Sequence, residues 1–473
     1  MQKEIYLELS QENGSAHKFY QINIKHNTVE INYGRIGLKG STQVKTLSSF
    51  EEAKLFADKK ANAKQKKGYL PATKGVRKFR PIRPVVRRIS SPYANNQTST
   101  ASLKAPVIAK FKTNDTAFGI FVNDKYIYIG DETGRISVLN HSYQLVREFK
   151  LPAGTKCIVG DGPNVFAGTD QGQVYELTGS VARLAYDFPG ESAIFWMDLC
   201  DGVLAVSDNE GGLFAYDFEG ESLFQTYTRN GKAWMVRVDE TSIYHGGNHI
   251  ARYTFEGELL WKNPTTEVLF GYQTKSCIYA GSNGVVMIDK HTGKKVRSYP
   301  ANWVPSNCTN HDGSLVFCQD RDQIKAWNKK GEQLFALNSP NSGMSMQYFD
   351  EKLFIVGDSG LGVVDVSDLA ISDAKKGKLI ETKVIYRPKD TLNEVDSSHL
   401  EKTNNPEGGI ELVCTLESGK HRIKVVSEGY DQSLNCQFPK NLRKEGRRYL
   451  VHKIELSKNK LFYRISGDIL ELS

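Results

Sequence analysis

The chain has 473 residues, of which 39% are hydrophobic and 25% are charged, so it is long enough to build two or three folded cores. It contains no run of 18 apolar residues and begins directly with a strand-like pattern, which argues against a membrane span and a signal peptide. Its seven cysteines lack CxxC spacing and indicate reduced thiols, so we expect a cytoplasmic protein.

The positive charge is concentrated in one part of the chain. The net charge is +8, and residues 59–112 contain fifteen Lys and Arg but no acidic residue. Residues 1–58 are neutral overall, residues 113–438 carry about −12, and the last 35 residues carry about +5. The basic segment suits a polyanionic partner, whereas the acidic body favours a protein partner.

Residues 1–72 are predicted to form a small α+β domain. Apolar residues alternate with polar ones around Leu7, Ile22 and Ile31, which predicts three strands, and a fourth strand over residues 43–47 precedes a helix. Ser49 and Glu52 have the spacing of a capping box at the start of that helix.

Several short motifs in this region are specific. They are Phe19-Tyr20, Tyr33-Gly34-Arg35-Ile36-Gly37, Gly40, the helix that begins at Phe50, and Lys67-Gly68-Tyr69. With these motifs, residues 1–72 resemble the WGR domain, which is named after its Trp-Gly-Arg triplet and occurs in poly(ADP-ribose) polymerases and many bacterial proteins. No ADP-ribosyl transfer domain follows, so the resemblance does not imply polymerase activity.

The resemblance implies binding of nucleic acid near a DNA end. Tyr33, which stands where the family usually has Trp, would stack on the end nucleotide, Gly34 would form the tight turn, and Arg35 would supply positive charge. Lys39 and Lys45 complete the basic residues expected to hold phosphate in this domain. In an alternative interpretation Tyr33 is a core residue at a strand end, Arg35 forms an intramolecular salt bridge, and the domain docks a protein.

Residues 73–106 have the composition of a linker, with several prolines and a polar stretch. Basic and apolar side chains are interleaved here, which suits sequence-independent contact with a phosphate backbone. The basic residues that we assign to this contact are Arg77, Lys78, Arg80, Arg83, Arg87 and Arg88. Alternatively, the arm is solvated or folds back on the acidic body.

Residues 107–390 contain seven copies of a repeat of about 38 residues. Each copy is predicted to contain an apolar strand, a polar turn, an alternating strand, a second turn and a third strand. The first of these turns recurs at Gly134, Gly172, Gly211, Asn248, Asn283, Asp322 and Gly360. This part resembles the WD-repeat and quinoprotein-like β-propellers, which implies seven blades, and we expect residues 107–112 to pair in the last blade and close the ring. We interpret the acidic turns at 130–134 and 207–211 as β-turns rather than calcium sites.

A linker over residues 391–409 and a small all-β domain over residues 410–473 are predicted to complete a mainly β protein. The C-terminal domain has a basic run, Lys440–Arg448, which is either a solvated face or an addition to a nucleic-acid surface.

The sequence lacks a phosphate loop, a G-x-S-x-G elbow and an H-E-x-x-H motif, so we expect no enzymatic activity and no cofactor. The function predicted is that of a bacterial-type adaptor that binds nucleic acid, expected to be DNA, through residues 1–106 and another protein on the propeller, without contact to a membrane. Two alternatives stay open: a protein interaction scaffold without nucleic-acid binding, and a propeller hydrolase or lyase whose site is built from blade loops.

Overall fold

The computed structural model describes residues 2–10, 17–37, 40–66, 68–77, 102–188, 194–208, 211–227, 234–265, 268–302, 304, 306–378, 380–385 and 409–472. The chain forms two compact units, with the main division between residues 98 and 99.

The N-terminal unit is a twisted sheet with one helix against it. Its elements are β1 (Gln2–Ser10), β2 (His17–Lys25), β3 (Thr28–Arg35), β4 (Ser41–Thr46), α1 (Phe50–Gln65) and β5 (Leu70–Pro71), and the strand order is β4-β3-β2-β1-β5. The predicted helix start is confirmed, because the Ser49 side chain accepts the N–H of Glu52 at 3.2 Å. Ala53, Ala57 and Ala61 face the sheet and are buried, and their small size lets α1 approach β1, β2 and β3 closely.

The second unit begins with a propeller of seven sheets. Blade 1 contains β7 (Ala117–Val122), β8 (Tyr126–Asp131), β9 (Arg135–Asn140) and β10 (Leu145–Lys150). Blade 2 contains β11 (Thr155–Asp161), β12 (Asn164–Thr169), β13 (Gln173–Glu176) and β14 (Arg183–Asp187). Blade 3 contains β15 (Ile194–Cys200), β16 (Val203–Asp208), β17 (Gly212–Tyr216) and β18 (Ser222–Tyr227). Blade 4 contains β19 (Met235–Val238), β20 (Ile243–Gly246), β21 (Ile250–Tyr253) and β22 (Leu259–Asn263). Blade 5 contains β23 (Phe270–Gln273), β24 (Cys277–Ser282), β25 (Gly284–Asp289) and β26 (Lys295–Tyr299). Blade 6 contains β27 (Asn307–Thr309), β28 (Leu315–Asp320), β29 (Gln323–Asn328) and β30 (Gln333–Asn338). Blade 7 contains β31 (Ser345–Phe349), β32 (Lys352–Gly357), β33 (Gly360–Asp365), β6 (Val107–Phe111) and β34 (Lys383–Ile385), and helix α2 (Asp368–Lys375) follows β33.

The seven sheets close into a ring. The first strand of each blade contacts the first strand of the next, and β31 of blade 7 contacts β7 of blade 1. Strand β6 pairs with β33 in the register Leu361↔Phe111, so the last blade takes a strand from the beginning of the propeller segment. The predicted seven blades and the predicted closure by residues 107–112 are both confirmed.

The sequence pattern predicted three strands in each copy, whereas blades 1 to 6 contain four strands and blade 7 contains five. The strand missed in each copy is the inner one, which lines the ring axis. Three of the inner strands are short, with four residues in β19 and β23 and three in β27. Because they pack against neighbouring blades on both sides, they lack the alternation of apolar and polar residues that identifies a half-buried strand.

A closed barrel of five strands ends the second unit. Its strands are β35 (Ile410–Glu417), β36 (Lys420–Val425), β37 (Asn435–Cys436), β38 (Arg448–Leu456) and β39 (Phe462–Leu472), in the order β35-β36-β37-β39-β38. A short 3-10 turn at Lys440–Leu442 lies between β37 and β38. Its last strand, β39, passes through Gly467 at a φ of 86°.

Candidate nucleic-acid interface

Tyr33 lies in the core of the N-terminal unit. Its side chain is only 7% exposed, and its ring centre is 5.8 Å from that of Tyr20, beneath helix α1. Alternation along β3 explains this position, because Val29, Ile31 and Tyr33 share the sheet face that α1 covers. The structure therefore places Tyr33 as the alternative interpretation did, and stacking on a nucleotide would require the ring to leave this core.

Gly34 is needed for a close backbone approach rather than for a turn. A Cβ atom at Gly34 would lie 2.8 Å from the Cα of Gly40, closer than side chains tolerate. The left-handed turn conformations belong instead to Gly37 and Gly40, whose φ angles are 89° and 72°. Arg35 ends β3, and its backbone pairs with that of Lys18, whereas the side chain of Arg35 and the whole of Lys39 lie outside the described residues.

Arg77 is held by the folded unit. Its Nη1 donates to Oε2 of Glu8 at 2.9 Å, and Glu8 is only 2% exposed. A buried carboxylate requires such a partner, so Arg77 stabilises the N-terminal unit, although the half-exposed guanidinium keeps further donors for another anion. Burial and then the charge of Glu8 raise the pKa of Tyr6 to about 12. Lys78, Arg80, Arg83, Arg87 and Arg88 lie outside the described residues.

Lys45 lies at a groove between β4 and α1. The groove has a volume of about 410 Å³ and is lined by Val29, Ile31, Gln43, Val44, Lys45, Phe56 and Lys60. The ammonium groups of Lys45 and Lys60 lie 4.7 Å and 5.4 Å from the ring centre of Phe56. The predicted site residue Lys45 is therefore joined by Phe56 and Lys60, which the sequence reasoning missed. Their spacing of four residues on a predicted helix was the available signal, since it places both side chains on one face.

In the second unit, the barrel packs on turns at one end of blades 2 and 3. These turns join strand one to strand two, and strand three to strand four, of each blade. Arg464 of β39 is the centre of this contact. Its Nη2 donates to Oδ1 of Asp161 at 3.0 Å and to Oδ1 of Asp201 at 2.6 Å, and all three side chains are buried. Phe462 stacks on Phe218 with ring centres 4.2 Å apart. The barrel is thus fixed to one end of the ring by charge pairing and by apolar packing.

Much of the basic run at Lys440–Arg448 has partners within the second unit. Arg443 donates to the backbone oxygens of Phe438 and Glu219, and burial lowers the pKa of its guanidinium. Arg447 pairs with Glu471 at 2.9 Å, and Arg448 pairs with Glu411. Arg443 therefore attaches the barrel to blade 3, and Arg447 and Arg448 form ion pairs at the surface of the barrel. The sequence reasoning did not consider these roles.

A narrow cavity of about 20 Å³ lies between the barrel and blade 2, among Phe166, Tyr186 and Phe438. Two oxygens buried at its wall, Asn164 Oδ1 and Gln437 Oε1, have no hydrogen-bond partner among the described residues. The volume suits about one water molecule, which would satisfy both acceptors, and is too small for a cofactor.

The acidic turns of the propeller are bound to their own backbone. Asp131 accepts the N–H groups of Thr133 and Arg135 at 3.0 and 3.1 Å, and Asp208 accepts that of Gly212 at 2.7 Å. The turn at 130–134 is a β-turn, as predicted, because the N–H of Gly134 also donates to the backbone oxygen of Asp131 at 3.0 Å. Residues 209 and 210 of the second turn lie outside the described part of the chain. In the part of the chain that the structure describes, no group of three or more His, Cys, Asp and Glu has the geometry to hold a metal ion. None of the described helices is long and apolar enough to span a membrane.

The fold defines a mainly β protein in which a small α+β unit precedes a seven-bladed propeller that carries a β-barrel. Residues 3–76 match the family model of the WGR domain. Among solved structures, the chain is similar to the crystal structure of the computationally designed Ika8 protein, with 14% identity and a TM-score of 0.46 over 56% of this chain and 100% of that chain. It is also similar to the WD40 beta propeller domain of Doa1, with 12% identity and a TM-score of 0.48 over 57% of this chain and 98% of that chain. No curated protein matches the sequence.

The two resemblances seen in the sequence, to a WGR domain and to a WD-type propeller, are thereby confirmed. Together a WGR domain and a propeller support a binding or adaptor role.

Proposed function

We propose that this protein is a non-enzymatic adaptor that binds the backbone of a nucleic acid, preferentially DNA, through its WGR domain and the basic arm that follows it. The observation that carries this proposal is the charge distribution. Fifteen Lys and Arg occur in residues 59–112 without one carboxylate, and each phosphate that they neutralise releases counterions. The similarity to the WGR domain adds support, since that family binds nucleic acid.

Backbone contact fits the N-terminal unit better than stacking at a DNA end. The ring of Tyr33 is packed under α1, whereas Lys45 and Lys60 are accessible at the open groove. We therefore expect closed circular and linear DNA of the same sequence to bind with similar affinity. A clear preference for ends would instead favour rearrangement of Tyr33 and the stacking role that the family resemblance implies.

The propeller is proposed to dock another protein at the end of the ring opposite the barrel. An aromatic cluster lies there, where the inner strands of blades 3 to 5 begin. Phe195 stacks on Trp234 with ring centres 3.9 Å apart, and Trp196 meets Phe270 edge to face at 5.2 Å. Phe195, Trp196 and Trp234 are partly exposed, and partly exposed aromatic side chains are typical of the centre of protein interfaces.

The nucleic-acid proposal is tested with the full chain and a labelled duplex across a series of salt concentrations. Replacing the six arm residues Arg77, Lys78, Arg80, Arg83, Arg87 and Arg88 by Gln should lower the slope of log affinity against log salt by up to about 5, at about 0.9 for each phosphate that is no longer neutralised. A control variant removes the same charge from exposed propeller lysines: Lys125, Lys275, Lys294, Lys295, Lys329 and Lys376. Equal effects of the two variants would contradict a role of the arm.

A second function, a protein interaction scaffold without nucleic-acid binding, is favoured by the burial of Tyr33. It predicts that the full chain retains neither duplex DNA nor RNA at micromolar concentration and low salt. The comparison of DNA with RNA in the same assay also decides which nucleic acid is preferred. We propose a cytoplasmic location for either function, because all seven cysteines are free thiols, as is usual in a reducing compartment.

A further inference from the structure

The groove between β4 and α1 arises because the helix is narrower than the sheet. Helix α1 contacts β1, β2 and β3, while β4 extends beyond it as the edge strand. In the pairing of β3 with β4, Lys45 is opposite Val29 and Gln43 is opposite Ile31, so both polar side chains lie on the helix side of the sheet. The sheet thus presents an uncovered strip beside α1, bounded by Lys45 on one wall and Lys60 on the other.

The two lysines form a cationic pair around one aromatic ring. Both ammonium groups lie within 5.4 Å of the centre of the Phe56 ring, so two positive charges approach the same side chain. Neither lysine has an ion-pair partner among the described residues, and the residues that line the groove include no carboxylate. Contact with the face of a ring is a weak substitute for an anion at an exposed site, so a phosphate that entered the groove would improve the electrostatic energy of both lysines.

Three acidic residues of the neighbouring elements have partners or positions away from the groove. Asp58 of α1 pairs with Lys3 at 2.8 Å, and the Glu52 carboxylate accepts the N–H of Ser48. Glu30 is opposite Val44 in the register of β3 and β4 and therefore lies on the other face of the sheet from Lys45. The positive potential of the groove is not cancelled by these groups.

We propose that this groove is a phosphate-binding cleft for the backbone of a nucleic acid, with Lys45 and Lys60 as its cations. The proposal rests on the proposed function and adds a defined site to it on the folded domain, separate from the arm. Gln43 is a further hydrogen-bond donor at the same wall. Because the contacts are to phosphate, the cleft carries no preference for base sequence.

The test compares three full-length variants with the parent chain in duplex DNA binding between about 50 and 200 mM salt. Lys45→Gln with Lys60→Gln should lower the slope of log affinity against log salt by about 2, so that over this range the parent loses about tenfold more affinity than the variant. Lys45→Arg with Lys60→Arg should keep the parent slope. The matched control, Lys25→Gln with Lys54→Gln, removes the same charge from exposed positions that do not line the groove and should change the slope by less than half as much.

Equal slopes of log affinity against log salt for Lys45→Gln with Lys60→Gln and for Lys25→Gln with Lys54→Gln would overturn the assignment of the groove. The proposed binding of nucleic acid by the chain would then still stand. Failure of the parent chain to bind DNA would overturn both. A poly-glutamate peptide is the remaining probe. If Lys45→Gln with Lys60→Gln abolishes binding of this peptide but leaves the salt slope for DNA unchanged, the occupant of the groove is an acidic protein segment on the open edge of β4. The proposal that the groove binds nucleic acid is then wrong. Inorganic phosphate at the same concentrations should compete only weakly, since one phosphate cannot engage the array of contacts made by a duplex.

Discussion

Replacing Arg464 by Met is expected to have a large effect on the second unit. Arg464 is 3% exposed, and its Nη2 lies 3.0 Å from Oδ1 of Asp161 and 2.6 Å from Oδ1 of Asp201. Methionine fills a similar volume but leaves two carboxylates buried beside each other. Removing one partner from a buried ion pair costs about 3–5 kcal/mol, because the remaining charge is no longer compensated. We expect a decrease of this size in the free energy of unfolding of the propeller and barrel, together with separation of the barrel from blades 2 and 3.

Chemical denaturation followed by intrinsic fluorescence measures this decrease, and limited proteolysis of the native protein reports on the attachment of the barrel. The control is Arg447→Gln, which removes an exposed pair with Glu471 and should cost less than about 1 kcal/mol. A triple variant, Arg464→Met with Asp161→Asn and Asp201→Asn, removes all three charges together and should recover a large part of the stability. If Arg464→Met alone costs less than about 1 kcal/mol, or if the triple variant is no better than the single one, the charge pairing does not fix the barrel.

Three further predictions concern other parts of the fold. Gly34→Ala should destabilise the N-terminal unit by about 1–3 kcal/mol in thermal unfolding, because its Cβ would lie 2.8 Å from the backbone of Gly40, and an unchanged melting temperature would contradict this close approach. Ala109→Pro should lower the free energy of unfolding of the propeller by several kcal/mol, because β6 lies between β33 and β34 and its N–H groups form hydrogen bonds to these strands. Wild-type stability in a denaturant titration would show that β6 does not close the ring. Burial raises the pKa of Asp468, but hydrogen bonds from Ser180 outweigh burial and leave the pKa below 3.8. The carboxylate therefore stabilises the contact between barrel and blade 2 above about pH 4, and this stabilisation is lost as the pH falls through the lowered pKa. Asp468→Asn should therefore flatten the acid limb of the plot of stability against pH, and an identical limb in both proteins would contradict the assignment.

The candidate site was predictable only in part. Motifs around Tyr33 identified the domain, and the basic composition identified the arm, because both are properties of neighbouring residues in the chain. The side chains that meet at the groove come from β4 and α1, and their meeting depends on how far the helix covers the sheet. That Phe56 and Lys60 join Lys45 is therefore a result of packing, which one sequence does not contain.

The repeat by itself determined the propeller. Turn residues such as Gly134 and Gly360 recur at a nearly constant interval, and a strand with one apolar face requires neighbours to cover it, so seven similar copies lead to seven stacked sheets. The capping residues of α1 and the closure of the ring by β6 were likewise readable, since each depends on local pattern or on the chain having to join its ends.

Tertiary structure alone decided what the charged and aromatic residues do. The basic run near Arg443 has the composition of a solvated surface, but burial against blade 3 turns it into part of the attachment of the barrel. Tyr33 has the sequence position of a stacking residue, yet the two-residue period of β3 and the cover of α1 place it in the core. In both cases the physical reason is the same: the strength and accessibility of a charge or a ring depend on which distant segments exclude water from it, and that is fixed only when the chain has packed.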